Sequence, residues 1–182
     1  MLYIFLANGF EEIEALATVD IIRRANIEIN TVGVGGEYIT GAHNITVKAD
    51  KTLSEVQWSD EIDGIILPGG IPGTPNLEAS EKVIELLLKA YNNNKLVAAI
   101  CAAPSILGHV GILQNKAATC YPGFESELNG AKTTNAPCVN EGNVITGKGA
   151  GTAFDFAFAI VDYILKDNKI SKKLKDSMQC TH

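Results

Sequence analysis

Short, uninterrupted apolar runs separated by segments of helical period are what most narrow the folds open to this chain. The runs are Leu2 to Ala7, Ile27 to Val34, Gly64 to Leu67, Leu96 to Ile100 and Val144 to Thr146. A strand with one wet face alternates apolar and polar residues, whereas a run apolar at every position is a strand covered on both faces, as in parallel sheets. The intervening segments supply the cover. Glu12 to Ala25 sets Ile13, Leu16, Ala17, Asp20, Ile21 and Arg24 at spacings of three and four, and Leu77 to Tyr91 is a second helix closed by Asn92-Asn93-Asn94. A third helix follows Cys101, and Thr152 to Leu165 is the last large one, opened by the glycine-rich Gly147 to Gly151. Gly35 to Val47 reads as a hairpin or edge pair. The expected fold is α/β, a three-layer α/β/α sandwich around a doubly wound, mostly parallel sheet, with its ligand site at the carboxyl edge of the strands near a topological switch point.

Bulk properties narrow the function classes. A chain of 182 residues suffices for one core and is short for two, and no linker divides it, so residues 1–182 are read as a single domain. Order is expected throughout except at the C-terminus. The formal charge of -6 arises from acids spread along the sequence, with basic residues thickening only between Lys166 and Lys175, which excludes a phosphate-tracking stripe and hence nucleic-acid binding. The apolar start, Met1 to Ala7, lacks a basic leader and is too short to span a bilayer, so it is read as a strand. Four cysteines (Cys101, Cys120, Cys138, Cys180) stand far apart with no Cys-x-x-Cys pair, which points to neither a zinc site nor a disulfide framework, and a reducing cytoplasm fits.

Chemistry concentrates around Cys101. The run Leu96 to Ile100 stops at this cysteine, and the small-residue segment Ala102-Ala103-Pro104-Ser105 begins a helix, which makes a strand-to-helix elbow. A helix N-terminus favours negative charge and would bias the thiol toward thiolate. Leu67-Pro68-Gly69-Gly70 ends another strand with uncovered backbone N–H groups, and if it lies beside the elbow, the N–H groups of Gly70 and Ala102 form an oxyanion hole. Among Glu11, Glu12 and Glu14, which open the first helix at the same edge, the functional reading has one carboxyl facing the sulfur. There burial would raise its pKa, keep it protonated and let it donate to a thiolate. The other reading is that acids in a first turn merely complement the helix dipole. No histidine follows Cys101; His109 is read as structural, His43 lies in the hairpin and His182 is terminal, so a Cys-His pair is not evident and a peptidase is disfavoured. Gly147 to Gly151 lacks the ending of a phosphate loop, and no Gly-x-Gly-x-x-Gly follows the first strand, so no nucleotide, cofactor or metal is expected.

Five stretches together, Glu11 to Glu14, Asp20 to Ala25, Leu67 to Gly70, Ala98 to Pro104 and Gly149 to Ala159, resemble the ThiJ/PfpI superfamily over nearly the whole chain, and most closely its parkinsonism-associated deglycase branch. That resemblance implies a flavodoxin-like sandwich, a homodimer and a reactive cysteine at a strained elbow. It matches Cys101 to that cysteine, Glu14 to the acid bonded to it, and Gly70 and Ala102 to the backbone donors, with Gly69 and Tyr121 on the substrate side. Relatives proposed as glyoxalases often carry a histidine before a proline where this chain has Tyr121-Pro122, and tyrosine is a poor base at neutral pH. The resemblance implies cofactor-independent chemistry on small reactive aldehydes such as methylglyoxal, or on glycation adducts, with Cys101 as nucleophile and Glu14 as proton carrier. Its alternative is a redox sensor in which peroxide takes Cys101 to the sulfinic acid, or a chaperone. Cys120 is then either a resolving thiol or a buried structural cysteine.

Overall fold

Both faces of the central sheet are apolar because both are covered by helices, and β1 (Leu2–Ala7) displays this most simply. Its Leu2, Ile4 and Leu6 pack on one side, and Tyr3, Phe5 and Ala7 on the other. The computed structural model describes residues 1–180, so His182 lies outside the described residues. After β1 come α1 (Glu12–Arg24), β2 (Ile29–Val34), a β3–β4 hairpin (Tyr38–Thr40 and Thr46–Lys48) and the short strand β5 (Lys51–Thr52). β6 (Gly64–Leu67) leads to α2 (Gly73–Glu78) and α3 (Glu81–Asn92), and β7 (Leu96–Ile100) leads to α4 (Pro104–His109). The chain ends with a small pair, β8 (Ala117–Ala118) and β9 (Lys132–Thr133), then β10 (Cys138–Glu141), β11 (Val144–Gly147), α5 (Ala153–Leu165) and α6 (Lys169–Ser177).

The sheet order is β10-β11-β7-β6-β1-β2-β5, and only β10 runs antiparallel, against β11. α1 and α5 cover one face, where Ala15, Val19, Ile21 and Ile22 meet Phe156, Ala157, Ile160 and Val161. α2, α3 and α4 cover the other, where Leu77, Val83, Leu86, Leu87, Ile106 and Leu107 are buried. The expected α/β/α sandwich is the observed architecture. The strand order reverses between β1, which is followed by β2 on one side, and β6, which lies on its other side, so the switch point falls between them.

One expected element needs correction, and one strand was not foreseen. The helix read as Leu77 to Tyr91 is two helices, because Ser80 adopts extended φ and ψ of -87° and 101°, and its carbonyl starts α3 by accepting from Ile84 N. α2 begins earlier, at Gly73, with Pro75 in the first turn where no backbone donor is missed. β10 escaped the sequence reading because it is short, polar and half exposed. The basic stretch includes most of α6, which lies on α5 with Ser171 buried and Leu174 against the core.

Candidate functional site

The carboxyl ends of β1, β6 and β7 bring together residues far apart in sequence. β7 ends at Cys101, whose φ of +67° lies in the left-handed region that L-residues with a Cβ avoid. Hydrogen bonds on both sides of the residue hold it there: Cys101 N donates to Gly147 O at 3.0 Å, and Tyr121 N donates to Cys101 O at 2.8 Å. Such a conformation costs about 1–3 kcal/mol. Replacing Cys101 by glycine relieves that cost and replacing it by alanine does not, so Cys101→Gly should exceed Cys101→Ala in urea-measured stability by about 1 kcal/mol. Equal stabilities would show an unstrained elbow.

Glu14, in the first turn of α1, is 1% exposed and its Oε2 accepts from Gly69 N at 2.8 Å. Its Oε1 is buried without a partner of regular geometry, and the neighbour facing the carboxyl is the Cys101 thiol. Burial raises the Glu14 pKa to about 7, against the hydrogen bonds from Cys101 and Gly69 that favour its charged form. Burial also pushes the Cys101 thiol up to about 12, reinforced by the Glu14 carboxylate, while the N–H groups of Ala102 and Gly70 donate to the sulfur and pull the other way. This corrects the thiolate expected from a helix N-terminus. α4 begins at Pro104, three residues beyond the sulfur, and is only six residues long. The two shifts have a common cause, since two acids buried side by side resist losing both protons. Across neutral and alkaline pH the pair therefore holds one proton.

The expected residues fall as follows. Cys101, Glu14, Gly69, Gly70 and Ala102 meet at one point, at the sheet's switch point. Gly69 is there for want of space, because a Cβ on it would lie 2.6 Å from Cys101 Cβ and 2.8 Å from Glu14 Oε2. Gly70 has φ +97° and its backbone abuts Gly9 and Phe10. Tyr121 lines a neighbouring cavity of about 360 Å³ with Pro122, Lys148 and Gly149 to Thr152.

The other two acids point elsewhere. Glu12 latches the β3–β4 turn by accepting from His43 N at 2.7 Å and bonding His43 Nδ1 at 2.9 Å; Glu11 N donates to Gly69 O at 2.9 Å. Glu11, Glu12 and His43 are the one group of three metal-ligand types found close together among the described residues, and Glu12 is already occupied there by the hairpin. His109 lies between Glu78 (2.6 Å) and Glu127 (3.0 Å) at the end of α4, a tie between elements. Cys120 is buried in the core on the α2–α4 side, whereas Cys101 packs toward the α1–α5 side. Sequence reasoning missed Gly147 and the Tyr121 backbone as the groups that pin the elbow, and backbone partners of this kind leave no mark in side-chain patterns.

Comparison with known proteins finds relatives that cover nearly the whole chain. The family model described as DJ-1/PfpI family matches residues 1–163. Protein dj-1beta of Drosophila melanogaster is 34% identical over 94% of this chain and 93% of its own length, and its crystal structure superposes with a TM-score of 0.92. A deglycase of Pyrococcus abyssi is 30% identical over 83% of this chain and 91% of its own length. The structure of Toxoplasma gondii DJ-1 in an oxidised form, 28% identical, superposes with a TM-score of 0.93 over 100% of this chain and 98% of that one.

Proposed function

Because the chain belongs to the DJ-1/PfpI family, we propose that it is a stress-response protein that uses Cys101 to convert reactive α-oxoaldehydes to hydroxy acids or to remove early glycation adducts. The observation that carries this reading is the buried Glu14 carboxyl against a sulfur that also receives the N–H groups of Gly70 and Ala102. The deglycase name of the Pyrococcus relative points the same way.

The chemistry follows from the shared proton. Glu14, charged above about pH 7, takes the thiol proton as sulfur attacks the aldehyde carbon, and this transfer removes the charge that held the thiol pKa high. A C–S bond forms, the developing oxyanion comes within reach of the Gly70 and Ala102 donors, and Glu14 passes the thiol proton on to that oxygen, which leaves a hemithioacetal and a charged Glu14. Glu14 then removes the proton on that carbon and returns it to the adjacent carbonyl carbon while the hydroxyl proton passes to the adjacent oxygen, so one carbon is oxidised as the other is reduced. The product is a thioester of the 2-hydroxy acid, and water hydrolyses it, releasing the acid and the thiol. Methylglyoxal plus water gives lactate, with no external oxidant or reductant. The test is lactate release from methylglyoxal by the purified chain; no turnover overturns the reading.

A second reading is favoured by the oxidised Toxoplasma neighbour. Two equivalents of peroxide would each give one oxygen to Cys101 and leave as water, and a protonated Glu14 with the two N–H groups would bond the sulfinate oxygens. A mass gain of two oxygens at Cys101 under mild peroxide, lost in Glu14→Gln, distinguishes it. Both readings set the protein in the cytoplasm, and among the described residues no helix is long and apolar enough to cross a membrane.

The homodimer is supported by an apolar surface. Ile13 (56% exposed) and Leu16 share one side of α1, beside Ile45 of the hairpin turn that Glu12 ties down. Ile13→Asp is expected to give monomers in analytical ultracentrifugation where the unmodified chain gives dimers; a monomeric wild type would refute the assignment.

A further inference from the structure

Lys148 is half buried and enters no ion pair among the described residues. Its stem is partly covered while its ammonium carries no carboxylate partner, which leaves the charge free to meet an anion from solution. It lines the cavity beside Tyr121. Two walls of this cavity are tied to the reactive elbow, since Gly147, one residue before Lys148, accepts from Cys101 N, and Tyr121 N donates to Cys101 O. The Tyr121 ring, 51% exposed, lies over Gly149, where an added Cβ would stand 3.4 Å from a ring carbon. The cavity thus has a flat aromatic wall and a cation.

Strand order gives the cavity a direction. β7 carries Cys101 at the middle, α1 brings Glu14 from the β1 side, and Lys148 follows β11 on the opposite side of β7. Along the strand order, the residue carrying the sulfur is therefore flanked by the element that brings Glu14 on one side and the one that leads to Lys148 on the other. Of the acids on the adjoining segments, Glu125 accepts from Gly123 N, and Asp155 is exposed.

We propose that this cavity is a tail subsite of the Cys101 reaction, in which Lys148 selects α-oxoaldehydes whose far end bears a carboxylate and Tyr121 supports the flat body between. The proposal rests on the carbonyl reading for its substrate class, and its test separates the two. Alkylation of Cys101, followed by peptide mass, is compared for 4-(iodomethyl)benzoate and 4-(iodomethyl)benzamide; in each, sulfur displaces iodide from the benzylic methylene, and the reagents differ in the charge at the far end of the ring. In Lys148→Met the benzoate-to-benzamide rate ratio is expected to fall about tenfold, the scale of one charge pair at a partly exposed site. Lys148→Arg should retain the ratio, Lys172→Met on α6 should leave it unchanged, and high salt should compress it in the wild type. An unchanged ratio in Lys148→Met overturns the subsite.

In turnover, kcat/KM for para-carboxyphenylglyoxal relative to phenylglyoxal should fall in Lys148→Met by a similar factor, whereas Tyr121→Ala should slow both aldehydes alike. If the wild type turns over neither aldehyde, the carbonyl reading fails, and the alkylation ratio still decides the subsite.

Discussion

Glu14→Gln is expected to lower kcat/KM for methylglyoxal by about 10²–10⁴-fold, the span of a lost general acid–base group, and Cys101→Ser to abolish turnover to background. Glutamine keeps the shape of the carboxyl and the acceptor for Gly69 N, so the loss would report proton transfer and leave packing aside. The pH profile gives a second readout. In the wild type, Cys101 alkylation should rise through about pH 7 as Glu14 becomes able to take the thiol proton. In Glu14→Gln that inflection should vanish, and the remaining one should lie above the usual cysteine value, because burial alone still raises the thiol. A retained inflection near 7 would assign it to another group.

The same substitution has a stability consequence with a definite sign. Glu14 has a folded pKa of about 7, above its unfolded value, so the folded state binds its proton more tightly. The resulting stabilisation is fully present below pH 4.5 and is lost as pH rises through 7, an amount of about 3 kcal/mol. Urea unfolding of Glu14→Gln should lack this decline, and the variant should gain on the wild type between pH 5 and 8. Parallel curves would show that Glu14 is not the buried acid described.

Gly69→Ala is expected to damage the site almost as severely. Its Cβ would fall within 2.6 Å of Cys101 Cβ, 2.8 Å of Glu14 Oε2 and 3.0 Å of Ile100 O, three atoms that belong to the elbow and its acid. Two of the three, Cys101 Cβ and Ile100 O, are fixed by the backbone, and the third ends a buried side chain held by Gly69 N, so relief requires moving β6 from β7 or turning Glu14 away. Overpacking of this kind costs about 1–3 kcal/mol, and a shift of about 1 Å at a reacting pair costs on the order of 10²-fold in rate. Thermal unfolding and Cys101 alkylation measured on one preparation would reveal both losses. Unchanged alkylation would mean that Glu14 and the sulfur need not touch.

How much of this could be read beforehand depended on the kind of signal. The parallel strands were legible because burial on both faces leaves continuous apolar runs, and Leu2 to Ala7 is buried at every position. Cys101 and the Gly69-Gly70 turn were legible because both interrupt such runs at the edge where ligands bind. The break at Ser80 was not, since a single extended residue leaves the period of Val83, Leu86, Leu87 and Ala90 intact on one side only. Nor was the ionisation of Cys101: the helix dipole is a local property that sequence suggests, whereas desolvation and the closeness of Glu14 are tertiary. Glu14 could be chosen over Glu11 and Glu12 only through the resemblance, because all three satisfy the same first-turn preference. The structure separates them by partner, giving Glu12 to the hairpin and Glu14 to Gly69.

The grip of Gly147 on the Cys101 peptide bears on how the protein is made. Cys101 leaves the ribosome well before β11 exists, so for a stretch of synthesis the nascent chain carries a cysteine without the acceptor for its own N–H and without the Tyr121 donor to its carbonyl. The thiol of that stretch is an ordinary one, free to rotate, solvated and indifferent to Glu14. The held conformation of Cys101 is therefore acquired late, when the last parallel strand docks, and a product truncated before Val144 would be a chain with this cysteine and no acceptor for its N–H.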